Sequence, residues 1–181
     1  MKIRTDFVTN SSSSSFTMLQ LDSPVLQKWF QQNHESTLQQ FCEWIGDQID
    51  ENFSDAFTYE YIEFLEDLGS VTGLLLHLLD LCNEEDCELS EFLRENQEEV
   101  DEQSIARFYS AFEQEGGGVE LARVVYEGGN VVKDYCCPEE EELDEDALNK
   151  INPDCMDDFQ TNTPEVIDQI FALLNDEESE E

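Results

Sequence analysis

The chain has 181 residues, enough for one ordinary domain, with 39% apolar residues and twelve phenylalanines to fill a core. It carries 45 Asp and Glu against 8 Lys and Arg, a net charge of −37, which excludes phosphate backbones and anionic membranes as direct partners, because no basic cluster exists to displace their counterions. The same balance suits a basic partner: a cationic protein surface, a polyamine or a divalent ion.

Lys2 and Arg4 lead into Asp6-Phe7-Val8-Thr9-Asn10, then Ser11, Ser12, Ser13, Ser14 and Ser15. After the serines, SFTMLQL predicts a short strand with Phe16, Met18 or Leu19, and Leu21 as its apolar positions, stopped by Asp22 and Ser23. Ser23-Pro24 starts a helix, since serine accepts from orphan amides and proline at the first position loses no hydrogen bond. Val25, Leu26, Trp29 and Phe30 give it one apolar face. A capping-box spacing at Ser36-Thr37-Leu38-Gln39 opens a second helix bearing Leu38, Phe41, Cys42, Ile45 and Ile49, again an ordinary packing face.

Helical spacing continues from Thr58 through Tyr61, Ile62, Leu65 and Leu68. VTGLLLHLLDLC, apolar nearly all round, predicts the central buried helix. Leu89, Phe92 and Leu93 mark a short helix, and Asp101 is expected to cap another carrying Ile105, Phe108 and Phe112, ended by Gly116-Gly117-Gly118. Then the period changes: VELARVVYEGGNVVKDYCC, split by Gly128-Gly129, is a hairpin whose imperfect alternation predicts partial cover on both faces. An isolated hairpin is marginal, so the N-terminal strand is expected to join it. Beyond Pro138 a weak helix spans Leu143 to Ile151, and Thr163-Pro164 starts a final one with Val166, Ile167, Ile170, Phe171 and Leu174 on its apolar side. The closing NDEESEE is expected to be disordered.

Chemistry-bearing signals are weak. Zinc needs paired thiolates or imidazoles, but Cys82-x4-Cys87 stands alone and Cys136 and Cys137 are adjacent. Nucleophilic catalysis needs a base, and the two histidines are His34, in a polar loop, and His77, inside an apolar helix. CNEEDCELSE offers carboxylates for a divalent ion without the glycine that turns a calcium loop. The polar start of the chain lacks the apolar run of a secretory signal, which predicts a cytoplasmic protein with reduced thiols.

The stretch from Arg4 to Phe16 resembles an N-terminal leader of the form RxxFVxNSSSSSF that heads many otherwise dissimilar proteins of bacteria and phages. The resemblance covers about the first sixteen residues and implies a phage or mobile-element origin, with no activity attached. The serines themselves suit phosphorylation next to the basic head, recognition by a tethering protein, or hydrogen bonding along a polar edge strand.

Together these features predict an α+β fold, mostly helical, with helices packed on a small antiparallel sheet formed by the N-terminal strand and the GG hairpin. Its expected organisation is a leader over 1–16, a helical domain over 17–137, and an acidic region over 138–181 with one docked helix at about 163–175. The function read from charge is non-enzymatic binding of a basic protein surface, without cofactor or metal. The candidate contact or modification residues are Ser11 to Ser15 and the run Glu139, Glu140, Glu141, Glu142, Asp144, Glu145 and Asp146. The alternatives are a nucleic-acid mimic that occupies a host or defence protein, of the anti-restriction or anti-CRISPR type, and a cysteine- or metal-dependent enzyme.

Overall fold

A computed structural model describes residues 3–8, 15–33, 36–53, 59–113, 119–136 and 164–178. Strands β1 (Ile3–Val8), β2 (Ser15–Asp22), β3 (Ile105–Glu113), β4 (Val119–Glu127) and β5 (Asn130–Cys136) form one antiparallel sheet in that spatial order. Between β2 and β3, which are neighbours, the chain inserts α1 (Pro24–Asn33), α2 (Leu38–Phe53), α3 (Tyr59–Asp67), α4 (Val71–Leu81), α5 (Glu88–Glu95) and α6 (Gln97–Gln103). A last helix, α7 (Pro164–Glu178), follows the sheet. The expected α+β class, with helices predominating over a small antiparallel sheet, is what the described residues form.

The helical insertion leaves and re-enters the sheet at one point. Asp22 pairs with Ile105 at the end of the β2–β3 ladder, and just beyond it the buried Ser104 Oγ donates to the buried Ser23 Oγ at 2.7 Å. Ser23 Oγ also accepts from Leu26 N at 3.1 Å, so one hydroxyl caps α1 and closes the neck of the insertion. Gly128 and Gly129, at φ +57° and +78°, make the two-residue turn between β4 and β5, where a side chain on either residue would be strained.

Strand alternation sends residues to two packed faces. Leu19, Leu21, Phe108, Val124 and Tyr126 join the helical layer, whose centre is α4 with Leu74, Leu75, Leu78 and Leu79 buried. On the other face Met18, Tyr109, Ala111 and Leu121 pack against Ile167, Ile170 and Phe171 of α7. Burying those three α7 side chains contributes on the order of 1.5–3 kcal/mol each, so apolar contact supplies most of the docking energy.

Polar contacts fix where α7 sits. Arg123 on β4 donates from Nε to Asp134 of β5 at 2.8 Å and from Nη1 to Asp168 of α7 at 2.8 Å. Its guanidinium lies 5.1 Å from the Phe171 ring centre. Tyr109 Oη donates to the same Asp168 carboxylate at 3.0 Å. Burial opposes the Arg123 charge, but hydrogen bonds to Asp168 and Asp134 outweigh it and raise its pKa. Burial, then the Asp168 charge, holds the Tyr109 phenol far above its ordinary range, so it stays a donor.

Several sequence expectations are corrected. The helix expected through Ile105, Phe108 and Phe112 is strand β3, and Asp101 lies within α6, where its carboxylate accepts from Thr72 N at 2.8 Å at the start of α4. The helical spacing arose because β3 is covered on both faces: Phe108 meets the helical layer and the adjacent Tyr109 meets α7, which erases the alternation. The N-terminal strand β2 therefore pairs with β3 rather than with the hairpin, and Ile3–Val8 adds a further strand beside it. The capping box is displaced by one residue: Gln40 N donates to Thr37 Oγ1 at 3.1 Å and Thr37 N to Gln40 Oε1 at 2.9 Å. Asn175 to Glu178, expected to be disordered, complete α7. His34, Gly116 to Gly118 and the weak helix over 143–151 lie outside the described residues.

Replacing Arg123 by Met leaves Asp134 and Asp168 without their cation. The variant is expected to lose about 2–3 kcal/mol in denaturant unfolding, less than the roughly 3–5 kcal/mol of a fully buried broken pair, because the Asp168 side chain is 42% exposed. Hydrogen exchange should accelerate more across residues 164–178 than across α4, and equal acceleration in both would contradict a docking role.

Candidate functional site

Five aromatic rings run in sequence across α1, α2 and α5. Phe92 and Trp29 have ring centres 5.5 Å apart, Trp29 and Phe30 5.0 Å, Phe30 and Phe41 5.5 Å, and Phe41 and Trp44 6.2 Å. Each helix has to present an apolar stripe to the core, but the tryptophans stand at the margin of theirs: Phe30 and Phe41 are buried, while Trp29 and Trp44 remain partly exposed. Between them opens a cleft of about 430 Å³ with Leu79 and Leu89 also in its lining. Glu84, Glu88, Gln40 and Asn33, all exposed, form polar parts of the same lining.

The segment between α4 and α5 brings the acids there. Asn83 takes a left-handed φ of 57°, so that Asn83 N donates to Asp80 O at 2.9 Å and Glu84 N to Leu79 O at 2.9 Å, the paired bonds of a Schellman ending. The segment is also held from α5. Ser90 Oγ donates to the carbonyls of Glu85 and Cys87, at 2.6 and 2.8 Å, and Arg94 Nη2 donates to Glu85 O at 3.2 Å. On α1, Asn33 Nδ2 returns to Trp29 O at 2.9 Å, and on α2 the Thr37–Gln40 box fixes the first turn.

Beyond the rim the acidic character continues along exposed Glu85, Asp86, Glu91, Glu95, Glu98, Glu99 and Glu102. Arg94, the one cation in this stretch, points back to Ser90 Oγ at 3.3 Å and to Glu85 O. Like charges crowd here. A hydrogen bond with Asp80, followed by the charges of Asp80 and Asp86, raises the Glu85 pKa above the ordinary 4.5.

His77, the other group singled out for chemistry, is half-buried on α4 with Nε2 3.1 Å from Tyr61 Oη and its ring 4.8 Å from that of Phe64. Burial lowers its pKa from 6.5 against the opposing charge of Asp80. Cys42 is fully buried and its thiol is pushed up to about 12 by burial and then by Glu43, which makes it a packing residue. Among the described residues no group of three or more His, Cys, Asp and Glu is arranged to hold a metal ion. Nor is any helix among them long and apolar enough to cross a membrane.

Of the residues singled out in the sequence, Ser15 opens β2, while Ser11, Ser12, Ser13 and Ser14 and the acidic run Glu139 to Asp146 lie outside the described residues. In the sequence Trp29, Phe30 and Phe41 read as core residues, and Trp44 is not marked out. The available signal was that both tryptophans of the chain fall on consecutive helices. Comparison with family models, curated proteins and solved structures finds no match to this chain.

The Glu85 shift has a readable sign. Above 4.5 the unfolded chain releases this proton more readily than the folded one, so the group subtracts stability at neutral pH and ceases to do so on acidification below its unfolded value. Glu85→Gln is expected to raise Tm slightly at neutral pH and to match the parent once carboxylates are protonated. A variant less stable than the parent at neutral pH would show that Glu85 makes a favourable contact instead.

Proposed function

We propose that this chain is a non-enzymatic, cytosolic interaction protein whose partner presents a basic surface. One observation carries the reading: between Glu84 and Glu102 nine exposed carboxylates sit on or between helices of the folded body, against one cation, Arg94, whose guanidinium donates to Ser90 Oγ and Glu85 O. Charges fixed on helices present a defined potential to an approaching surface, whereas a charged tail presents an averaged one. Elsewhere Arg123 is engaged with two carboxylates and Lys133 with Glu63 and Glu66, at 3.5 and 3.0 Å, so neither is free to neutralise the acidic side. The free thiols of Cys42, Cys82 and Cys87 suit a reducing compartment.

The same fixed array favours a second reading, in which the carboxylates imitate a phosphate lattice and occupy a nucleic-acid-binding protein. The two differ in competition. Capture from the native cell, with nuclease and with added salt as separate arms, should retain a basic protein after nuclease and release it as salt rises. Displacement of that protein by free DNA or RNA would select mimicry. Tight attachment of the purified chain to DNA, RNA or anionic vesicles would overturn both readings.

A further inference from the structure

Resting on the reading that the partner is basic, we propose that the aromatic cleft between α1, α2 and α5 is an anchor site for one arginine side chain of that partner. The walls are Trp29 and Trp44, the floor includes Phe30 and Phe41, and Glu84 and Glu88 stand in the polar lining. Each component selects the same occupant. An indole face attracts a cation through its quadrupole, tryptophan more strongly than the other rings. The buried Phe30, Phe41, Leu79 and Leu89 offer apolar surface to an alkyl stem. The carboxylates offer acceptors to the charged head and repel an anionic occupant.

Arginine fits these three demands better than lysine. Its guanidinium is planar, stacks on aromatic faces, forks onto carboxylates and is more weakly hydrated than an ammonium, so it enters an apolar cleft at lower cost. A volume of about 430 Å³ lies within the range of pockets that enclose small ligands, about 300–1,000 Å³, and leaves room for the side chain with part of its adjoining backbone. The cleft is also continuous with the acidic surface, since Glu84 and Glu88 belong to both. A partner held there by one arginine lays its remaining basic residues along α5 and α6.

The chain contains two tryptophans and both line the cleft, so intrinsic fluorescence reports this site without a label. The probe is an octa-arginine peptide carrying a dye, titrated into the full chain at low ionic strength, with dye anisotropy reporting binding anywhere and tryptophan emission reporting the cleft. Both signals are expected to move with one midpoint. Trp29→Leu is expected to weaken binding about tenfold, and the double change Glu84→Gln with Glu88→Gln, at exposed positions that leave the fold intact, to weaken it several-fold. An octa-lysine peptide should bind more weakly and shift the emission less. The triple change Glu98→Gln, Glu99→Gln and Glu102→Gln should reduce affinity while preserving the emission change at saturation.

If anisotropy reports binding, tryptophan emission stays constant and the cleft variants keep their affinity, the anchor is refuted while the acidic-surface reading stands. If the peptide does not bind at all, both fall.

Discussion

Tyr109, Ala111 and Leu121 on one side and Phe108, Val124 and Tyr126 on the other leave the middle of the sheet buried from both directions. Hydrogen-bonded strands with two apolar faces require two covers. The first is the six-helix insertion between β2 and β3, which must return to the strand next to the one it left, and the Ser23–Ser104 hydrogen bond marks that return. The second is α7, held by apolar burial and oriented by Arg123 and Tyr109 through Asp168. Tyr126 ties the first cover to the sheet by donating to the carbonyl of Leu65 on α3. The aromatic cleft exists because that layer is fixed: α2 packs on α4 and the sheet, α5 on α4 and α6, and α1 on α2 and α6, and the tryptophans of α1 and α2 are left at the margin.

Charge is the opposing constraint. With 45 acids and 8 strong bases, self-repulsion weakens the compact state, most at low ionic strength. The fold places several of its few cations where they join elements: Arg123 between β4, β5 and α7, Lys133 between β5 and α3, and Arg94 between α5 and the preceding segment. Tyr59 adds a ring 5.2 Å from the Lys133 ammonium. The outward surface of α5 and α6 is left with a large excess of exposed carboxylates over the single Arg94. Cohesion inside and an acidic face outside therefore follow from the same allocation of cations.

Much of this was legible in the sequence. Pro24 after Ser23, the all-round apolar α4, the Gly128-Gly129 hairpin and the apolar stripe of α7 were each signalled by local chemistry that the structure uses. What failed was local inference at β3, where the apolar spacing of Ile105, Phe108 and Phe112 imitates a helix. The true signal there, cover on two faces, comes from helices distant in sequence. The cleft was unreadable for the same reason. Trp29 and Trp44 belong to faces that look like core, and only the Schellman turn at Asn83 and the packing of α5 bring Glu84 and Glu88 beside them. The serines Ser11 to Ser14 and the acidic run beyond Pro138 are marked by composition alone and lie outside the described residues.

The central claim is that the contact face for a cationic partner is the folded surface of α5, α6 and the aromatic cleft. Backbone and indole chemical-shift mapping of the full chain with a basic peptide tests it most directly. The account expects perturbations concentrated between residues 84 and 102 and at the Trp29 and Trp44 indoles. Perturbations confined to residues 139–146, with α5, α6 and both indoles unmoved, would contradict it.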